Sequence, residues 1–142
     1  QNRCIDIMDH VSDRRIETGR RGESLAAEFL RQQGWRIREM NFEVERGEID
    51  IIAERPITFA GKMARQFAFV EVKTRHGGPV APEMTVSRRK RCTIVRVARL
   101  YLDRVSGPAP SSRFDVITVD LADTPPDLCH YPAAFDAQGR RN

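Results

Sequence analysis

The sequence predicts an α/β domain of order αβββαβ, a mixed central sheet flanked by helices, and three observations carry that expectation. Apolar residues recur at three and four positions in two segments, 20–33 and 86–105. Around them lie four short runs rich in β-branched and aromatic residues, bounded by glycine and proline. The second helical segment joins two of those runs, which should therefore lie parallel through a right-handed crossover.

Each element follows from local chemistry. Leu25, Ala26, Phe29 and Leu30 form the stripe of the first helix, and Gly34 stands where a left-handed closing residue belongs. Trp35–Phe42 and Glu48–Ala53, parted by Arg46-Gly47, read as a β-hairpin. Arg55–Gln66 holds Pro56 and Gly61 with weak periodicity, so it is expected to be an exposed connection. Phe67–Lys73 is dense enough in Phe and Val to be a central strand covered on both faces. After the breaker Gly77-Gly78-Pro79, Ile94, Val97, Ala98, Tyr101 and Val105 mark the second helix, which should end before Gly107-Pro108. Phe114–Val119 is the fourth strand, and an edge strand is expected around Leu128–Tyr131, between Pro125-Pro126 and a polar tail. The expected organisation is an N-terminal extension at 1–16, the domain at 17–136 and a tail at 137–142.

Composition bounds the function. With 142 residues, 40% hydrophobic and 31% charged, the chain suits one packed domain rather than a disordered or fibrous one. Arg96, Arg99 and Asp103 interrupt the longest helical apolar stretch, so no membrane span is expected, and residues 1–15 carry no apolar export signal. Cys4, Cys92 and Cys129 are odd in number and widely spaced, as in reduced thiols of a cytoplasmic protein. With His10, His76 and His130 they make no zinc pattern, and neither a phosphate loop nor a nucleophile elbow is present. Trp35 and Tyr101 lie on apolar patterns and are assigned to the core. The net charge of +4 leans toward polyanionic partners. Its densest cluster, Arg88-Arg89-Lys90-Arg91, is the first candidate for phosphate contact, as is Arg75, for which a salt bridge to Glu48 is the structural alternative.

Charge embedded in strands points to chemistry. Glu71 and Lys73 stand among Phe69, Val70 and Val72, where an unpaired charge is expensive, and alternation puts Glu71, Lys73 and Arg75 on one face. In Glu48-Ile49-Asp50-Ile51, the two acids share a face and the two isoleucines pack the other. If these strands are antiparallel neighbours, Asp50 and Glu71 converge, and a hard cation such as Mg²⁺ relieves their repulsion while keeping water and phosphate ligands. Lys73 would then place an ammonium where phosphodiester hydrolysis needs one, and Glu23, on the first helix, is placed to hold a metal-bound water. A buried salt-bridge network without catalysis is the structural alternative.

Gly22-Glu23, Gly34, Asn41, Gly47-Glu48-Ile49-Asp50, Phe69-Val70-Glu71-Val72-Lys73-Thr74-Arg75, Lys90, Ala98, Tyr101-Leu102 and Arg113-Phe114-Asp115-Val116 together resemble the YraN family of small bacterial proteins. That family is similar to the PD-(D/E)xK nucleases, and among them to archaeal Holliday-junction resolvases, with a restriction-endonuclease-like αβββαβ core. The resemblance implies a DNA-cleaving enzyme in which Asp50 and Glu71 bind Mg²⁺, or Mn²⁺ in its place, Lys73 assists catalysis and Glu23 matches the helix acid. It also implies a homodimer, since junction-cleaving relatives are dimers. Ile49 stands where the motif's name has proline. Inactive relatives exist, so the competing expectation is a nucleic-acid-binding module that keeps the fold and does not cleave.

Overall fold

The computed structural model describes residues 5–79, 86–108 and 110–142, with side chains from residue 14 onward; Cys4 and the His10 side chain lie outside them. Helix α1 (Ile5–Gln32) leads into strands β1 (Arg36–Val44), β2 (Gly47–Phe59) and β3 (Lys62–Arg75). Helix α2 (Arg88–Leu102) then crosses to β4 (Ser111–Asp120), which turns back into β5 (Asp127–Phe135). The strands form one sheet in the order β1-β2-β3-β4-β5, with β3 and β4 parallel and the other neighbours antiparallel. The α/β class and the parallel pairing of the two strands joined by α2 are as the sequence predicts.

One helix covers each face. Ala26, Ala27 and Leu30 of α1 bury against Ile51, Ala53, Ala68, Val70, Ile117 and Val119. On the other face Ile94, Val97, Ala98 and Tyr101 of α2 meet Ile49, Ile52, Phe67, Phe69, Phe114 and Val116. Trp35 and Tyr101 are core residues, as expected. Gly34, at φ +90, closes α1 while the Trp35 N–H donates to the Leu30 carbonyl. Ser87 caps α2, its hydroxyl accepting the Lys90 N–H at 3.1 Å. Gly22 lets α1 approach the sheet closely, since a Cβ there would lie 1.8 Å from Thr74 Oγ1. The neighbouring Glu23 is thereby brought to the end of β3.

Three stretches depart from the sequence reading. Residues 55–66 are largely exposed, as expected, but they are not an irregular connection: they continue β2 and β3 as a hairpin turned at Ala60-Gly61. Pro56 is tolerated because β1 pairs β2 only as far as Glu54, so its missing N–H removes no bond to a third strand. Helix α1 begins at Ile5 rather than near residue 20; Arg14, Arg15, Ile16 and Glu17 all face solvent, so this turn has no buried apolar residue to read. The C-terminal residues fold back, with Arg141 bridging to Phe135.

Candidate functional site

The β2–β3 ladder ends at Ile51↔Val70, beyond which β2 stays with β1 while β3 runs on beside β4 to Arg75↔Asp120. The two central strands therefore fork, and the fork is lined by polar groups. Asp50 fills it: its Oδ2 accepts the Val72 N–H at 2.8 Å, doing what a strand carbonyl would otherwise do. Alternation slips at this residue. Ile49 packs with the α2 core and Ile51 with the α1 core, so the expectation that they share a face is corrected.

Glu71 sits across the fork and is 5% exposed. Its Oε1 lies 3.6 Å from Lys73 Nζ, and while the acid is ionised its Oε2 is buried with no donor to accept from. Burial, and then repulsion from Asp50, push the Glu71 carboxyl up to about 7; when protonated it donates to Asp50. Burial also raises Asp50, against the opposing Val72 N–H and the positive charges of Lys90 and Lys73. Glu23 and Glu48 are raised for the same first reason, each with Asp50 adding repulsion. Asn41, left-handed at φ +52 on β1, hydrogen-bonds Glu23 and partly offsets that rise. Four carboxylates thus share one region that favours added positive charge.

Lys90 supplies part of that charge. It stands in the first turn of α2, and its positive charge acts on Glu48, Asp50 and Glu71 alike. Two open clefts flank the fork. One, about 800 Å³, lies between the β1–β2 turn and the start of α2 and includes Arg46, Glu48, Arg89 and Lys90. The other, about 820 Å³, lies between α1 and β3 and includes Arg14, Arg15, Arg21, Glu23 and His76.

The fold therefore brings Asp50, Glu71 and Lys73 together, with Glu23 beside Asp50. Arg88 and Arg89 are exposed at the start of α2. Arg91 is not: it is 7% exposed, donating to the carbonyls of Val86 at 2.6 Å and Gly139 at 2.7 Å. Its spacing to Ile94, Val95 and Ala98 is the buried stripe of α2, so it anchors the C-terminal turn and is withdrawn from the phosphate-contact set. Arg75 pairs with Asp120 at 3.3 Å rather than with Glu48, and donates to the Gly78 carbonyl. Sequence reasoning counted Asn41 only among the residues of the family resemblance, since an amide carries no chemical signature by itself, and gave Glu48 no part in the site although it shares the Asp50 pattern.

A hard divalent cation suits this donor set. The convergence of Asp50 and Glu71, the orphaned Glu71 oxygen and their raised proton affinity describe a place short of one positive charge. Among the described residues no group of three or more His, Cys, Asp or Glu is arranged to hold an ion. Two carboxylates suffice for Mg²⁺, which keeps most of its ligands as water and phosphate oxygen.

The model of Uncharacterised protein family UPF0102 matches residues 22–119, a span that opens at Gly22-Glu23 and contains Asp50, Glu71, Lys73 and all of α2. The chain belongs to this family. Relatives called UPF0102 protein share its length: that of Anaeromyxobacter dehalogenans is 36% identical over 129 residues, covering 90% of each chain. That of Nocardia farcinica is 40% identical over 133 residues, covering 91% of this chain and 96% of its own. That of Chlorobium limicola is 44% identical over 120 residues, covering 82% and 81%. The family resemblance read from the motifs is borne out. No helix among the described residues of this UPF0102 chain is long and apolar enough to cross a membrane.

Proposed function

We propose that this protein is a metal-dependent nuclease that hydrolyses phosphodiester bonds, with DNA as its substrate. One observation carries the reading: two carboxylates converge at a strand fork, one with a buried orphaned oxygen, beside two lysines and between two clefts that contain arginines. Asp50 and Glu71 would hold Mg²⁺ or Mn²⁺, and the ion would supply Lewis-acid stabilisation of charge on phosphorus and a more acidic water.

The chain's own groups do the rest. Lys73 places its ammonium beside Glu71, where it orients a phosphate oxygen or the attacking water. Lys90, on the opposite element, offers a second cation to the scissile phosphate. Glu23, hydrogen-bonded to Asn41, accepts a hydrogen bond from water at the fork. Arg46 and Arg89 on one side, and Arg14, Arg15 and Arg21 on the other, provide phosphate contacts for the flanking backbone. DNA as the substrate, and a homodimer as the assembly, rest on the likeness to PD-(D/E)xK nucleases and their junction-cleaving members.

The Lys73–Glu71 ion pair favours a second reading, a binding module that does not cleave, because it already partly compensates the buried acid. Incubation with single-stranded, duplex, flap and four-way-junction DNA separates the two. The nuclease reading expects cleavage with Mg²⁺ or Mn²⁺, abolished by chelator and reduced at least about 100-fold by Asp50→Asn. Salt-sensitive binding without cleavage, indifferent to chelator, would establish the binding module instead.

A further inference from the structure

The β2–β3 pair outruns its neighbours. β1 accompanies β2 only to Arg36↔Glu54 and β4 accompanies β3 only from Gln66↔Ser111, while the ladder between β2 and β3 continues to Phe59↔Lys62. Residues 55–65 are therefore a two-stranded arm about 15 Å long at ordinary strand rise. Ala60 at φ +50 and Gly61 at φ +73 turn it tightly.

The arm ends in apolar side chains. Phe59 is 74% and Met63 76% exposed. They occupy successive rungs, Phe59 opposite Lys62 and Met63 opposite Thr58, so they project from opposite faces. A surface that lies flat on a partner gathers its apolar groups on one face. A tip that is apolar on both faces suits insertion between two apolar planes.

Charge selects which planes. Residues 55–65 contain Arg55, Lys62 and Arg65 and no acid. At the root, Arg38, Arg65 and Arg104 line a cleft of about 270 Å³, and the acid in reach, Glu54, is already bridged by Arg65 and Arg38. Apolar planes bordered by negative charge are stacked bases between phosphates.

We propose that this arm is a base-stacking wedge. Phe59 and Met63 insert at unpaired nucleotides or an open duplex end, and Lys62 and the root arginines hold the phosphates alongside. The inference rests on the nucleic-acid reading above and adds a contact remote from the fork, since Asp50 to Phe59 is nine residues of strand, about 30 Å.

The test uses the full chain carrying Asp50→Asn, in chelator, with a duplex bearing a short single-stranded gap marked by 2-aminopurine and a fully paired duplex of equal length. Adding Phe59→Ala and Met63→Ala is expected to weaken gapped-DNA binding about tenfold and abolish the 2-aminopurine response, with paired-duplex affinity kept within about twofold. Lys62→Glu, away from the core, should weaken both. Unchanged gapped-DNA affinity and fluorescence would overturn the wedge. So would altered self-association with DNA binding intact, which would make the arm a protein contact. A wild-type chain that shows the gap preference yet never cleaves would sink the nuclease reading and leave the wedge standing.

Discussion

Two acids buried in neighbouring strands, Asp115 and Glu71, have opposite surroundings. Asp115 is fully buried and fully answered: it accepts from Arg113 Nη2 at 2.9 Å, from the Ala133 N–H at 3.0 Å, and pairs with His130 Nε2 at 2.7 Å. Arg113 in turn stacks over Trp35, 4.9 Å from the ring centroid. Glu71 has a lysine at 3.6 Å, an orphaned oxygen and another carboxylate for a neighbour. An acid inside a strand is therefore not in itself a sign of function. What distinguishes the two is whether the fold has already supplied the positive charge and hydrogen bonds each requires.

That contrast is breakable. The largest effect is expected from Asp115→Ala, which leaves the part-buried Arg113 and His130 without their shared partner: a loss of about 2–4 kcal/mol, seen as a melting temperature lower by roughly 5 °C or more. A loss no greater than that of an exposed substitution would erase the distinction. Glu71→Gln should act with the opposite sign. Its amide donates to Asp50 as protonated Glu71 does, so without metal at pH 8 it should stabilise the fold by on the order of 1–2 kcal/mol while cleavage is lost.

The pH dependence of the metal-free protein sharpens the same point. Glu71 titrates near 4.5 when unfolded and about 7 when folded, so between those values the native state holds a proton that the unfolded chain has released. Its contribution is complete below the lower value and fades as pH rises through the upper. Melting temperatures followed from pH 4.5 to 8 should show this decline in the wild type and a flatter profile in Glu71→Gln. Parallel profiles would remove Glu71 as the cause.

Much of the fork was legible because its chemistry is local. Glu71 and Lys73 stand two apart on a strand that Phe67, Phe69 and Val70 mark as buried, and Asp50 stands between isoleucines. The slip at Asp50 was not legible, since it arises where β2 parts from β3, a property of two strands rather than one. Pro56 and Gly61 read as breakers because their effect depends on which strands lie alongside; at the free end of a hairpin they do no harm. Arg91 was hidden in a run of like charges, and only its register with Ile94 and Ala98 shows that it points inward. Asp115 shows the same limit: its partners His130 and Ala133 lie 15 and 18 residues on, across a strand pairing whose register shifts between Phe114 and Val116.

The most direct measurement is anomalous diffraction from a crystal soaked in Mn²⁺. A peak held jointly by Asp50 and Glu71, absent from Glu71→Gln crystals, is the expected result. A fork without manganese, its two acids instead joined to Lys73 and Lys90, would contradict the assignment of these carboxylates to a metal.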